Sequence, residues 1–221
     1  MAALAVPVLV LASGSSGRLR LLRDAGFDPE VIVSGVAETN DDGLATADLT
    51  VALAERKAAA VAAVRPGALV LGCDSMLDLD GDALGKPATP QDAIAVWKRL
   101  AASEGTLYTG HCLIDGRASQ HESDPEIGRA SQDIDLVGVS GVAATTIRFG
   151  KPTDAEIAAY VATGEPLSLA GAFSIDGRAA PFVDGIDGDP GNVIGVSLPL
   201  LRRLLAELGV PITDLWRAPV S

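Results

Sequence analysis

Residues 6–25 read VPVLVLASGSSGRLRLLRDA, an apolar run that leads through small residues into an amphipathic segment. The run at residues 6–12 has the length and the unbroken apolar character of a buried strand. In residues 17–25 apolar side chains share one helical face, with the arginines elsewhere: the face contains Leu19, Leu22 and Ala25, and the arginines are Arg18, Arg20 and Arg23. A strand that passes through a short turn into a helix is typical of an α/β protein.

Strand-like and helix-like segments alternate along the rest of the chain, without an internal repeat. The patterns predict further strands at residues 30–34, 68–72, 106–114 and 143–149, a hairpin around residues 79–82, and short glycine-punctuated strands within 172–183. They predict helices at 48–64, at 90–102 after an N-cap at Thr89, after a capping box of Thr153 and Glu156, and at 198–208. We expect a single α/β or α+β domain over residues 1–221, with a polar loop insertion at 115–138.

The composition limits the kinds of partner that this chain can have. Its 221 residues are 48% apolar and carry a net charge of −12, with a pI near 4.5. That balance predicts a folded core and argues against binding a nucleic-acid polymer, which needs a basic surface. It does not argue against a small phosphate ligand, for which a few well-placed cations are enough.

Targeting and redox signals both favour a cytoplasmic protein. The apolar start at residues 1–12 lacks the positive segment of a signal peptide, and no window is long enough to span a membrane. Cys73 and Cys112 form no CxxC motif and no disulfide framework, so we expect both thiols to be reduced.

Familiar catalytic motifs are absent from the sequence. The stretch from Gly81 to Lys86 is one residue short of a P-loop, and Pro87 replaces its metal-binding hydroxyl residue. No GxGxxG or GxSxG motif occurs, residues 184–192 lack the closing glutamate of a calcium loop, and a triad that uses His111 is left open.

The small-residue turn at residues 11–18 is the first candidate site. Its backbone N–H groups precede a helix and favour an anion, to which Arg18 would add a charged contact. The alternative is an ordinary strand-to-helix turn capped by a serine.

Lys57 lies in the apolar stripe of its helix, where a charge is costly unless it meets a partner. The alternative is a lysine whose charged end reaches water from the edge of the stripe.

Asp74 follows an apolar strand, and ligands of open α/β sheets bind beyond the carboxyl ends of strands. It is therefore a candidate general base or metal ligand, with a turn aspartate as the alternative. Lys86 stands between glycine and proline, either at a site or at a hairpin exit, and Glu38 offers a second carboxylate. Three cations and two carboxylates near strand ends suit a phosphate site that contains a divalent metal.

These segments together resemble the Maf family of nucleoside triphosphate pyrophosphatases, in particular its actinobacterial members. The likeness extends from about residue 8 to about residue 210. It rests on LASGSSGRLRLLRDAG, VSGVAET, ERKA, LGCDSM, LGKP, LYTG, GEPLSLAGAFSIDG and GDPGNVIGVSLPLL, which occur in the family's order.

The resemblance implies a long mixed central sheet with two lobes flanking a cleft, related to the inosine triphosphatases, and commonly a homodimer. It also implies hydrolysis of nucleoside triphosphates, including modified ones, to monophosphate and pyrophosphate, with Mg²⁺ or Mn²⁺ as cofactor. Asp74 then corresponds to the proton acceptor, and Glu38 and Asp74 are expected to hold the metal. The expected substrate-binding residues are Ser13, Ser15, Arg18, Lys57, Ser75, Lys86 and Asp176.

The chain departs from the family pattern at several of these places. Gly17 stands where the family has arginine or tyrosine, and Ala37 stands where it often has aspartate. Positions 17, 75 and 176 separate the family's dTTP/UTP enzymes from its 7-methyl-GTP enzymes, and Gly17, Ser75 and Asp176 match neither set. The preferred base is therefore left open, although the acidic Asp176 leans away from the uracil/thymine type.

The main alternative is a nucleotide-binding regulator of cell division or septum formation with little turnover. Metal-dependent pyrophosphate release separates this interpretation from the enzyme. An α/β hydrolase of another substrate class is disfavoured by the absent motifs.

Overall fold

The structure, a computed structural model, describes residues 7–37, 43–117 and 137–217. Its strands are β1 (Leu9–Leu11), β2 (Glu30–Val31), β3 (Leu69–Leu79), β4 (Asp82–Leu84), β5 (Glu104–Asp115), β6 (Val137–Phe149) and β7 (Val183–Asp187). Its helices are α1 (Ser16–Asp24), α2 (Thr46–Ala62), α3 (Pro90–Leu100), α4 (Asp154–Ala162), α5 (Pro190–Ile194) and α6 (Leu198–Glu207). Short 3₁₀ turns occupy Glu165–Ser168, Ala170–Ala172, Ala180–Phe182 and Ile212–Leu215.

The strands form one mixed sheet, which confirms the α/β prediction. Their order is β2-β1-β3-β5-β6-β7, with β4 paired to β3 outside that path. Strand β1 runs parallel to β2 and β3, whereas the pairs β3–β5, β5–β6 and β6–β7 are antiparallel. The long strands β3, β5 and β6 therefore connect the two ends of the molecule.

Apolar residues cluster separately at the two ends of these long strands. One cluster packs α1 and α6 against Leu69, Leu71 and Leu113, and α2 covers the other face of the same strands. The second cluster packs α3 and α4, around the buried ring of Trp97, against the far halves of β3, β5 and β6. The two clusters form the cores of the two lobes.

Between the two clusters, on the sheet face opposite α2, lies a set of polar side chains that we call the polar layer. It consists of Arg18, Ser75, Thr109, His111, Thr145 and Asn192. Side chains of a strand alternate between faces, so residue 75 shares a face with Leu71 of one cluster and Leu77 of the other. Ser75 is directly opposite Thr109 in the β3–β5 register.

The starts of α3 and α4 agree with the sequence prediction because local side chains cap them, whereas α2 begins at Thr46, two residues before its predicted start and without a side-chain cap. Thr89 and Asp92 form a capping box at α3, and Thr153 and Glu156 form one at α4. Both cysteines are free, as expected. The described residues include no helix long and apolar enough to cross a membrane.

The strand predictions were less accurate. Strands β1 and β2 are shorter than predicted, and β5 and β6 are longer, because pairing with neighbouring strands sets their ends. The predicted strands within 172–183 are wrong: the segment is irregular chain and turns with a 3₁₀ turn at Ala180–Phe182, and β7 begins only at residue 183. Helix α5 was not predicted. Most of the proposed loop at 115–138 lies outside the described residues.

One correction bears on the site. The strand predicted to end at residue 72 continues to Leu79, so Asp74 lies inside β3 rather than after it. The parallel neighbour β1 pairs with β3 only as far as Leu71, and its chain then turns away. Asp74 therefore lies beyond the carboxyl end of β1, at the point where the sheet opens.

Candidate functional site

A cavity of about 730 Å³ lies at this opening. One side is formed by the turn between β1 and α1, together with Lys57, Asp74, Ser75 and Lys86. The other side is formed by residues from the second lobe, including Leu169, Phe173 and Asp176. Every predicted site residue that the structure describes lines this cavity. Glu38, the other expected metal ligand, lies outside the described residues.

Lys57 and Asp74 form a buried ion pair at the floor of the cavity. Lys57 Nζ is 2.5 Å from Asp74 Oδ1, and each side chain is 7% exposed. Residue 74 is on the β3 face that packs against α2, which brings the carboxylate to the helix stripe that contains Lys57. The partner required for a core-facing lysine is thus Asp74, and Lys57 is not a lysine that reaches water from the edge of the stripe.

Helix α2 reaches this position because two glycines let it approach the sheet closely. A Cβ atom on Gly72 would lie 2.2 Å from the carbonyl oxygen of Ala54. A Cβ atom on Gly110 would lie 2.2 Å from the backbone of Thr50. Because Gly72 in β3 and Gly110 in β5 have no side chain, α2 can lie close enough for Lys57 to reach Asp74.

The turn at residues 13–18 has features of both structures predicted for it, an anion-binding turn and an ordinary helix start capped by a serine. Ser15 caps α1 by accepting a hydrogen bond from the backbone N–H of Arg18 at 3.4 Å. Ser13 Oγ accepts from the backbone N–H of Ser15 at 3.2 Å. The turn is a capped helix start that also lines the cavity, so its serine hydroxyls and the positive end of α1 face the same space.

Arg18 is buried and held from three directions. Its Nε donates to the carbonyl of Gly195 at 3.0 Å, Nη1 donates to Ser13 Oγ at 3.0 Å, and Nη2 donates to Ser75 Oγ at 2.9 Å. A guanidinium has five N–H hydrogens, so two have no hydrogen-bond partner within the described part of the chain. Arg18 is therefore a fixed cation that can still donate to a ligand in the cavity.

Ser75 and the residues behind it form a chain of hydrogen bonds. Ser75 Oγ is 2.9 Å from Thr109 Oγ1, and Thr109 Oγ1 donates to the carbonyl of Asn192 at 3.0 Å. Asn192 Nδ2 donates to Thr145 Oγ1 at 3.0 Å and to the carbonyl of Leu107 at 3.1 Å. Thr109 and Asn192 lie in the quoted motifs LYTG and GDPGNVIGVSLPLL, but neither was assigned a role from the sequence because these contacts depend on strand register and on α5.

His111 has no catalytic geometry. Its Nδ1 donates to the carbonyl of Thr109 at 2.9 Å, and its Nε2 accepts from the backbone N–H of Ser197 at 2.9 Å. Burial lowers its pKa to about 4, so the ring is neutral at pH 7. Burial also raises the pKa of the Cys73 thiol to about 12. Neither side chain lines the cavity, and the triad left open by the sequence is not formed.

Arg20 is a cavity residue that the sequence analysis did not select. It forms an ion pair with Asp176, although α1 belongs to one lobe and residue 176 to the other. Arg20 is 58% exposed and Asp176 is 29% exposed. Gly17, one turn before Arg20 in α1, has ordinary van der Waals space where a Cβ atom would lie, the nearest atom being Ile194 Cγ2 at 3.5 Å. One signal in the sequence could have pointed to Arg20. Arg20 lies one helical turn after Gly17, where the chain departs from the family pattern.

The described residues contain no group of three or more histidine, cysteine, aspartate or glutamate side chains able to hold a metal ion. Asp74 alone lines the cavity as a candidate metal carboxylate among the predicted ligands. Mg²⁺ needs only one or two protein carboxylates when phosphate oxygens complete its shell, so Asp74 fits that cofactor. Lys86 is exposed at the rim of the cavity.

The fold and this cavity define an α/β protein with a cleft built for a small anionic ligand. The family model described as Maf-like protein matches residues 8–208. The chain belongs to the Maf family.

Curated relatives support the same assignment. Proteins named nucleoside triphosphate pyrophosphatase are 58% identical in Streptomyces coelicolor and 57% identical in Streptomyces avermitilis, with 94% of each chain covered in both comparisons. One from Salinispora tropica is 49% identical over 96% of this chain and 89% of its own. A HAM1 protein structure from Coxiella burnetii has a TM-score of 0.37 and 16% identity, covering 66% of this chain and 74% of its own, too little to support an argument.

Proposed function

We propose that this chain hydrolyses nucleoside triphosphates to a nucleoside monophosphate and pyrophosphate. The observation that carries the proposal is the cavity in which a buried carboxylate, Asp74, lies among Lys57, Arg18 and the start of α1. The name of the Streptomyces relatives supports the same reaction. A cleft with one fixed carboxylate and several cations suits attack on a phosphate more than simple anion storage.

The cations and the turn would hold the triphosphate. Arg18 has two N–H hydrogens for phosphate oxygens, and it is already fixed by three hydrogen bonds, so little side-chain entropy is lost on binding. Ser13 and Ser15 lie beside the N-terminus of α1, where negative charge is stabilised. Lys86 at the rim would neutralise charge on the departing pyrophosphate.

Asp74 would act as the general base. A water molecule loses a proton to the carboxylate and forms a bond from its oxygen to the α-phosphorus. The bond from that phosphorus to the bridging oxygen breaks, and the electron pair leaves with pyrophosphate. Lys57 would fix the orientation of the carboxylate through Oδ1. A bound Mg²⁺ or Mn²⁺, with Asp74 and Glu38 as the proposed ligands, would neutralise phosphate charge.

The base end of the substrate would face the second lobe. Leu169 and Phe173 offer apolar surface there, and Asp176 offers a hydrogen-bond acceptor beside Arg20. A carboxylate acceptor at this position favours a base that presents N–H donors. Several bases do so, and the nucleotide panel below distinguishes them. A cytoplasmic location and a homodimer stay predictions from the sequence.

Release of pyrophosphate from a panel of nucleoside triphosphates, with and without Mg²⁺, tests the proposal. We expect metal-dependent turnover by the wild type and a loss of about 10³-fold in kcat for Asp74→Asn, since removal of a general base has an effect of that order. Circular dichroism and the denaturation midpoint check that the variant is folded. Tight nucleotide binding without turnover by the wild type would instead support the regulatory alternative, and undiminished activity in Asp74→Asn would contradict the mechanism.

A further inference from the structure

The polar layer contains Thr109, which does not line the cavity but is linked through Ser75 to Arg18, which does. Thr109 is 0% exposed and does not line the cavity. Its hydroxyl lies between Ser75 Oγ, at 2.9 Å, and the carbonyl oxygen of Asn192, at 3.0 Å. Ser75 in turn accepts a hydrogen bond from Arg18.

The carbonyl of Asn192 fixes the donor and the acceptor of every hydrogen bond in this series. A carbonyl oxygen can only accept, so Thr109 must use its single proton on Asn192. Thr109 Oγ1 can then only accept from Ser75, and the proton of Ser75 points towards Thr109. A lone pair of Ser75 Oγ is thereby presented to Arg18 Nη2, which can only donate.

We propose that Thr109 is a positioning residue for substrate binding, acting on Arg18 through the hydroxyl of Ser75. Without the Thr109 hydroxyl, Ser75 would lose its acceptor and could turn its proton towards the guanidinium, which cannot accept it. Arg18 would then be held by Ser13 and Gly195 alone, and its two remaining N–H groups would be less well oriented for a ligand. The inference rests on the proposed function only in that Arg18 binds phosphate.

Thr109→Val tests the proposal because it removes the hydroxyl and keeps the branched shape. We expect KM for the preferred nucleotide, and the dissociation constant for inorganic pyrophosphate, to rise about tenfold, equivalent to about 1.4 kcal/mol of binding free energy. kcat should change much less, since Asp74 and Lys57 are untouched. Thr109→Ser, which restores the hydroxyl, should recover most of the affinity.

Thr50→Val is the matched control. Thr50 is also 0% exposed, but its hydroxyl donates to the carbonyl of Ala47 within its own helix. We expect this variant to show a comparable shift in its denaturation midpoint with an affinity close to that of the wild type. Equal losses of pyrophosphate affinity in the two valine variants would overturn the proposal.

A double-mutant cycle with Ser75→Ala identifies the route. If Thr109 acts through Ser75, then Thr109→Val causes no further loss of pyrophosphate affinity in the Ser75→Ala background. Full additivity of the two losses would overturn the proposal. Calorimetry with pyrophosphate does not depend on turnover, so an inactive wild type would contradict the proposed function while the cycle still decides the role of Thr109.

Discussion

At the scale of single residues, Lys57 and Asp74 form a buried ion pair at the floor of the cavity. Both side chains are 7% exposed, so neither charge is well solvated without the other. Removing one partner of a buried pair leaves an uncompensated charge, which costs far more than breaking a surface pair.

We predict that Lys57→Met lowers the free energy of unfolding by about 3–5 kcal/mol and also reduces kcat. The reason is that the Asp74 carboxylate is left buried without its cation and without its fixed orientation. Urea denaturation and pyrophosphate release measure the two effects. Lys151→Met, at an exposed position outside the cavity, is the control. A Lys57→Met protein as stable as this control would show that the pair is not energetically important.

Single residues also show which parts of the site the sequence could predict. Lys57 was selected because a lysine in an apolar stripe needs a partner, a requirement visible in local sequence. Arg20 was missed because its pairing with Asp176 depends on how the two lobes face each other. Thr109 lies in the quoted motif LYTG, but it was assigned no role because its contact with Ser75 depends on the register of β3 and β5.

At the scale of elements, the close packing of α2 on β3 and β5 sets the geometry of the ion pair. Gly72 lies under the backbone of Ala54, one turn of α2 before Lys57. Any side chain at that position must push the helix away from the sheet.

We predict that Gly72→Ala destabilises the protein by about 3 kcal/mol, the upper end of typical overpacking costs, and lowers kcat by displacing Lys57. Thermal unfolding and pyrophosphate release provide the measurements. Gly138→Ala in β6 is the control, because its Cβ would make an ordinary contact with Ile114 at 3.5 Å. If both alanine variants behave alike, the close approach of α2 does not determine the geometry of the site.

Elements also differ in how well the sequence predicted their limits. The starts of α3 and α4 were correct because each is determined by a capping side chain within a few residues. The carboxyl end of β3 and the start of β6 were wrong because hydrogen bonding to β5 extends both strands beyond their predicted limits. The prediction for segment 172–183 failed because its short apolar stretches form turns and pair with no neighbouring strand before Val183 meets β6.

At the scale of the whole molecule, the ion pair of Arg20 and Asp176 connects the two lobes across the cavity. Both residues are partly exposed, so the pair contributes at most about 1 kcal/mol to folding. Because the pair of Arg20 and Asp176 lies where the nucleotide base is proposed to bind, we expect it to affect substrate recognition more than stability.

We predict that Arg20→Ala raises KM for the preferred nucleotide about fivefold and changes the ranking of bases, because Asp176 loses its orienting partner and the cavity loses a cation. The unfolding midpoint should hardly move. Arg65→Ala, which breaks the surface pair with Glu30 away from the cavity, is the control. Nucleotide-panel kinetics that are identical for the two variants would refute a role for Arg20.

The sequence by itself determined the α/β class, the capped starts of α3 and α4, the turn before α1 and the need of Lys57 for a partner, because each depends on neighbouring residues or on a simple period. The membership of the Maf family was also readable from ordered motifs, and the family match confirms it. Only the tertiary structure decided that Asp74 is that partner, that Thr109 supports Ser75 and that Arg20 meets Asp176. Those contacts join residues far apart in the chain, and their existence depends on strand register, on the approach of α2 and on the placement of the two lobes.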